Sequence, residues 1–164
     1  MASVEFCDAS MEPVYQQLLA EFPEATPDAI EASLQFLRIA ANTHVRMEAL
    51  YSEYGLTSGR FALLMLLRHA PSNQLSPSEM AKRAQVSRAT MTQFIDCLEK
   101  DKFITRIDDP NDGRSMLIRL APKGETVLKR FLPAHLKELE ALTVSLNRTE
   151  RKQLFCLLSK LIRE

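Results

Sequence analysis

Glycine is scarce in this chain, with four residues in 164. That excludes the glycine-rich loops that wrap a phosphate in backbone N–H groups. Cysteine is equally thin. Cys7, Cys97 and Cys156 are odd in number and far apart, which argues against a disulfide framework and for a reducing cytoplasm. The three histidines, His44, His69 and His135, show no zinc-ligand spacing with those cysteines. No serine sits in a nucleophile-elbow pattern. The expectation is therefore a protein that is not an enzyme and holds neither metal nor cofactor. No apolar run reaches the ~18 residues a membrane span needs. Residues 1–10 lack the basic and apolar regions of an export signal, so a cytoplasmic protein without a membrane partner is expected. Net charge is missing too: 21 Lys and Arg balance 21 Asp and Glu. Overall field cannot attract a polyanion, and any basic face must be local. Residues 76–125 repeat the balance, with nine Lys/Arg against eight Asp/Glu.

What is present is helical pattern. Hydrophobic content of 46% with 26% charge is ordinary for a globular chain. Residues 1–9 read as a loose arm. Residues 10–22 place Met11, Val14, Tyr15, Leu18, Leu19 and Phe22 at helical spacing, and Pro23 ends the run. Thr26-Pro27-Asp28 is a helix start. The helix it opens should run to about Tyr54 and stop at Gly55, a natural residue after a helix end. Thr57 caps a nearly all-apolar helix through about His69, and Ala70–Asn73 is a loop. Pro122 opens a helix to about Val144, with Pro133 as a potential bend. Asn147-Arg148-Thr149-Glu150 resembles a capping box, followed by an apolar stripe of Leu154, Leu157, Leu158, Leu161 and Ile162. The helices from both chain ends carry apolar stripes, and packing them together as a two-fold dimerisation lobe is the economical solution.

Residues 76–120 form one continuous device. Ser76-Pro77-Ser78-Glu79 opens a helix as a capping box. Ala84-Gln85-Val86-Ser87 is the three-to-four-residue connection of a helix-turn-helix. Ser87 caps a second helix, with Met91, Phe94, Ile95 and Leu98 on its buried face and Ala89, Thr92, Gln93 and Asp96 opposite, Arg88 at the margin. Phe103–Asp108 and Ser115–Leu120 are β-prone runs around Asp109-Pro110-Asn111-Asp112-Gly113-Arg114. That order is a winged helix-turn-helix, a shape that fits duplex DNA by helix in the major groove and by hairpin tip in the minor groove. Gln93 can bond an adenine edge in two places, and Arg88 a guanine or a phosphate. The hydroxyls of Ser87, Thr90 and Thr92 suit phosphates, and Ser78 and Lys82 can reach the DNA backbone. Arg114 can enter a narrow minor groove, with Asp109 or Asp112 holding its guanidinium. Arg106 and Arg119, on the strands, can steady phosphates. Asp96, Glu99 and Asp101 need not share a face with Arg88 and Arg114, so local separation of charge is compatible with the neutral total. The fold class is mainly α: a winged helix-turn-helix with a two-stranded β wing and a helical dimerisation lobe from both chain ends. The divisions are residues 1–26 (arm and short helix), 27–55 with 122–164 (dimerisation lobe) and 56–121 (DNA-binding lobe).

Leu75–Ala81, Val86–Thr92, Leu98-Glu99-Lys100 and Asp109–Arg114, followed by Leu120 and Lys123-Gly124, resemble the MarR family of transcriptional regulators over residues 55–125. The resemblance implies a homodimer on a palindromic operator, acting as a repressor and released by a small aromatic or phenolic effector or by an oxidant. By position it makes Ser87, Arg88, Thr90, Thr92 and Gln93 major-groove and phosphate residues. Arg114 becomes the minor-groove arginine, with Asp112 steadying it. The family's ligand pocket, where dimer lobe meets DNA lobe, would here draw on His44, Arg46, Tyr51, Tyr54, Arg60, Phe61 and Met65. The sequence departs from the family at Gln93, where arginine is common, and at Gln85 and Lys102, where glycine is common. A left-handed backbone at Lys102 would carry local strain. Ala121 replaces the usual threonine cap before Pro122. Residues 1–26 have no counterpart in the shortest members. Cys7 adjoins Glu5 and Asp8, whose charge opposes a thiolate; Cys97 and Cys156 lie near apolar stripes and read as structural. The neutral charge balance also permits a winged-helix module that binds protein rather than DNA.

Overall fold

The computed structural model describes residues 12–22, 24–110 and 112–162, without the side chains of residues 12 and 112–114. The expected arm, Cys7, Met11, Pro23 and Asn111 fall outside it. The chain divides into two compact units, residues 1–47 and 48–164.

In the first unit, α1 (Glu12–Glu21) is followed by the greater part of α2 (Pro27–Glu53). Ile30 N donates to the Thr26 carbonyl at 3.1 Å, so α2 begins at the Thr-Pro-Asp signal. The face of α1 and the first turn of α2 enclose an apolar hollow of about 380 Å³ lined by Tyr15, Leu18, Leu19, Phe22, Ala25 and Ile30.

The second unit begins with the last turn of α2, which stops at Gly55 with φ +67, as a residue lacking Cβ permits. It continues with α3 (Ser58–Arg68), α4 (Pro77–Ala84), α5 (Arg88–Lys100), α6 (Pro122–Ala141) and α7 (Arg148–Leu161). Thr57 caps α3, its hydroxyl accepting from Arg60 N at 3.3 Å. Asn147 and Glu150 form a reciprocal capping box on α7. α6 runs uninterrupted through Pro133.

The sheet has three strands in the order β1 (Gln74–Leu75), β3 (Asp112–Leu120), β2 (Ile104–Asp109), all antiparallel. The sequence indicates only the hairpin. The third strand is two residues long, too short for an alternating pattern to register, and it forms because β3 offers it a partner: Gln74 pairs with Arg119 and Leu75 with Ile118. β2 and β3 keep register from Ile104↔Leu120 to Asp108↔Met116, and an irregularity then brings Asp109 opposite Asp112. The strands therefore reach further toward the tip than the expected Asp108 and Ser115.

Apolar periodicity builds the core. Leu64 and Leu67 of α3, Met80 of α4, Met91, Ile95 and Leu98 of α5, Ile104 and Ile118 of the sheet, and Leu128 and Phe131 of α6 are fully buried. This packing holds the helix-turn-helix against the sheet, so the polar face of α5 is set by its apolar one.

Among the described residues four non-glycines have left-handed backbone, Ser72 and Asn73 in the loop after α3 and two at the ends of helices. Gln85 ends α4 at φ 54, and Lys102 follows α5 at φ 63. The left-handed backbone anticipated at Lys102 is present. Lys102→Gly is expected to stabilise the fold by about 0.5–1 kcal/mol, since removing Cβ relieves the αL penalty while a freer unfolded chain returns part of the gain. Urea unfolding checks it; a lower midpoint with unchanged slope would refute the assignment of strain.

Candidate nucleic-acid interface

Ser87 precedes α5 with extended backbone, and its hydroxyl accepts from Thr90 N at 3.1 Å. The Ser87 and Thr90 hydroxyls lie 2.8 Å apart, and the Thr92 hydroxyl donates to the Arg88 carbonyl at 3.0 Å. Ser87, Arg88, Ala89, Thr92 and Gln93 are all exposed, whereas Thr90 is half-buried. These residues occupy one arc of α5, opposite Met91, Ile95 and Leu98. The helix start projects free backbone N–H groups and partial positive charge, which favour an anion there. Ser78, on α4, is exposed, and its hydroxyl lies 3.0 Å from that of Ser76. The anticipated box on α4 is present in its Ser76 half, with Glu79 N donating to the hydroxyl at 3.2 Å. The Glu79 carboxylate instead accepts from Arg83 Nε at 2.8 Å, which holds it below its ordinary titration range.

Acidic residues beside this arc are engaged by arginines from other elements. Arg106, on β2, sends NH2 to Asp96 and NH1 to Glu99, the latter at 2.9 Å. Asp101, at the end of α5, pairs with Arg60 of α3 at 2.9 Å. Such exposed pairs contribute little to stability. Their effect is electrostatic: the carboxylates along and just beyond α5 are neutralised within the lobe, while Arg88 at its start has no ion pair among the described residues. Arg106 is thus a strut between wing and helix rather than a free phosphate ligand. Its partners stand ten and seven residues away in sequence, and no local motif signals them. Arg119 is likewise tied to Gln74 Oε1, by Nε at 3.2 Å and NH2 at 2.9 Å.

At the wing, Asp112, Gly113 and Arg114 belong to β3. The side chains of Asp112 and Arg114, expected to form the minor-groove finger, lie outside the described residues. Ser115 donates to Asp109 Oδ2 at 3.1 Å.

A second feature lies among the residues expected to bind an effector. Tyr51 stacks on Phe131 at 5.2 Å, and Phe61 meets Phe131 edge-on at 5.0 Å. Tyr54 meets Phe131 edge-on at 5.4 Å. His135, not singled out from the sequence, lies 4.9 Å from Phe61 and 5.2 Å from Phe131. Burial pushes the Tyr51 phenol upward, with Glu48 adding to the shift. Met65 is half-buried, and Arg60 is held by Asp101. His44 and Arg46 are exposed on the part of α2 that belongs to the first unit. Cys97 and Cys156, read from the sequence as structural, are both exposed thiols instead. Cys97 is one position from buried Leu98, and Cys156 falls between exposed Phe155 and Leu157.

Among the described residues no helix is long and apolar enough to cross a membrane. The MarR family model matches residues 56–116. The HTH-type transcriptional repressor YetL of Bacillus subtilis is 35% identical over 127 residues, covering 77% of this chain and 75% of the relative. The chain belongs to the MarR family. The transcriptional repressor MprA of Escherichia coli is 32% identical over 108 residues, covering 66% of this chain and 61% of that one. Solved MarR-family structures share the fold. Sco3205 of Streptomyces coelicolor, crystallised with DNA, superposes with TM-score 0.68 at 21% identity over 84% of this chain and 87% of its own. AbsC of the same organism gives 0.70 at 17% identity, covering 84% and 93%. The helix-turn-helix and wing of this MarR-family chain are thus elements of a fold shared with those structures.

His135 gives the MarR-family lobe a pH dependence. Its Nδ1 is buried without a hydrogen-bond partner among the described residues, and burial holds its pKa below the ordinary 6.5. The unfolded chain then binds the proton at higher pH than the folded one. The stability from keeping this ring neutral is fully present above pH ~6.5 and is lost as pH falls through the folded-state value. Melting temperature is expected to fall on acidification from pH 7, and His135→Phe to flatten that slope; equal slopes for both proteins would contradict the assignment.

Proposed function

We propose that this MarR-family transcriptional regulator is a homodimeric repressor that binds a palindromic operator and is released by a small aromatic or phenolic effector. The observation that carries the reading is the exposed, cap-initiated arc Ser87, Arg88, Ala89, Thr92 and Gln93, with the neighbouring acids bound internally by Arg106 and Arg60. The α5 start enters the major groove, Gln93 and Arg88 reach base edges, and Ser78, Ser87, Thr90 and Thr92 meet phosphates. Arg106 positions the wing on α5. Arg114 enters the minor groove, directed by Asp112. The names of YetL and MprA, both repressors, support the direction of control. Residues 56–121 would form the DNA-binding lobe, and 27–55 with 122–164 the dimerisation lobe, placing two reading heads about one helical turn apart. For the effector, the second unit offers the rings of Tyr51, Tyr54 and Phe61, with Arg60 and Met65 on the same helix as Phe61; an aromatic carboxylate that took Arg60 would release Asp101 at the end of α5.

Gln93→Ala tests base reading. Selection from a random duplex library is expected to show relaxed preference at one position per half-site, about 1–3 kcal/mol for a lost bidentate contact. An unchanged selected sequence would remove Gln93 from the reading set.

A further inference from the structure

The hydroxyls at the start of α5 are occupied within the protein. That of Ser87 accepts from Thr90 N at 3.1 Å and lies 2.8 Å from the Thr90 hydroxyl. The Thr92 hydroxyl has a single hydrogen, and it goes to the Arg88 carbonyl at 3.0 Å. A phosphate oxygen accepts, so Thr92 held in this way has no hydrogen to offer it. The Cβ of Thr92 branches two ways. With the hydroxyl branch against the helix's own backbone, the methyl branch is left to the exposed side. Ala89, three residues earlier, is also exposed and presents nothing but a methyl. Residues three apart on a helix are neighbours, with Cβ atoms about 5–6 Å apart, so the two methyls border one notch. Gln93, four residues after Ala89, stands at its side. Asp96, the acid next along the arc, is held by Arg106. The middle of the reading face is therefore apolar.

We infer that Ala89 and Thr92 form a methyl notch that takes the C5-methyl of a thymine, so that each half-site contains an A·T pair selected by apolar contact. The inference rests on the duplex-binding reading. It deepens that reading by naming the base, and it reassigns Thr92 from phosphate to base. In the major groove thymine alone carries a methyl; cytosine offers an amino donor there, and the purines offer N7 acceptors. A notch with no free donor or acceptor favours the methyl by burying it. It disfavours the other bases by leaving their polar edges unpaired. The Gln93 amide beside the notch suits the adenine of an A·T pair, so the two features select the same composition.

Uracil in place of thymine tests this, because uracil keeps every hydrogen-bonding group of thymine and lacks only the methyl. The full-length protein is titrated with its selected duplex and with duplexes in which each thymine in turn is replaced, symmetrically in both half-sites. One thymine is expected to be sensitive, with binding weakened about fourfold per half-site, the worth of one buried methyl. Thr92→Val keeps the methyl and removes the hydroxyl, and it is expected to retain that penalty. Thr92→Ser keeps the hydroxyl and removes the methyl. It and Ala89→Gly are expected to cut the penalty to about twofold or less per half-site. Each penalty compares two duplexes on one protein, so a loss of helix stability in a variant cancels. A penalty that Thr92→Ser retains and Thr92→Val loses would return Thr92 to its hydroxyl and overturn the inference. A selected duplex without a uracil-sensitive thymine, or a penalty equal in all four proteins, overturns it as well. A wild-type chain with no preference for any duplex removes the duplex-binding reading itself.

Discussion

Gly124→Ala is expected to destabilise the protein by about 3 kcal/mol or more, lowering the melting temperature by roughly 6–12 °C. The α6 start is pressed onto the turn that leaves α5. Ala121 N donates to the Phe103 carbonyl at 3.0 Å, Lys123 Nζ donates to the Asp101 carbonyl at 2.8 Å, and the same ammonium lies 4.9 Å over the Phe103 ring. A Cβ on residue 124 would overlap the Phe103 carbonyl oxygen and come within 2.8 Å of Leu120 Cδ1. The first obstacle is backbone, so no side-chain rotation relieves it. The helix must withdraw, and Leu128 and Phe131, fully buried further along α6, must move with it. The loss should be global in denaturant unfolding, because those two residues join α6 to the core beneath the helix-turn-helix. A change under 1 kcal/mol would mean the contact is easily relaxed and that α6 is not fixed by this approach.

Arg106→Ala is expected to weaken operator binding by one to two orders of magnitude at physiological salt, with little change in stability. Deleting one cation leaves two carboxylates of α5, Asp96 and Glu99, facing a polyanion without their partner. It also frees the wing from the helix. Exposed ion pairs contribute only ~0–1 kcal/mol to folding, so binding and stability should separate. Because Arg106 holds carboxylates rather than a phosphate, the slope of log affinity against log salt should change little, unlike that of a variant that loses a phosphate contact. Arg106→Lys should not restore affinity, because one ammonium cannot reproduce a fork that takes a carboxylate on each arm. Adding Asp96→Asn and Glu99→Gln to Arg106→Ala divides the causes: recovery assigns the loss to charge, and persistence assigns it to wing position. Undiminished affinity of the single variant would remove the strut from the binding account.

The elements legible in the sequence are those specified by neighbours. The Ser76 and Ser87 caps, the Gly55 stop and the Asn147–Glu150 box are local chemistry, and the helices begin or end where those residues stand. The buried face of α5 follows from 3.6-residue spacing alone. What was not legible depends on partners distant in the chain. β1 exists through β3, and a two-residue strand has no pattern of its own. The pairs of Arg106 with Asp96 and Glu99, and of Arg60 with Asp101, require the helix-to-sheet packing before the charges meet. His135 looks like any helical histidine until the burial of Phe131 draws the aromatic rings around it. Arg106 shows the consequence for function: a cation on a wing strand suits phosphate, and only the fold shows it engaged elsewhere.

Titration of a duplex selected from a random library, followed by fluorescence anisotropy across a salt series, tests the central claim most directly. Two chains are expected to bind each palindromic duplex, with log affinity falling linearly with log salt and half-length or scrambled duplexes binding far more weakly. A chain that shows no preference for any double-stranded sequence at low ionic strength, or that binds as a single copy, would contradict it.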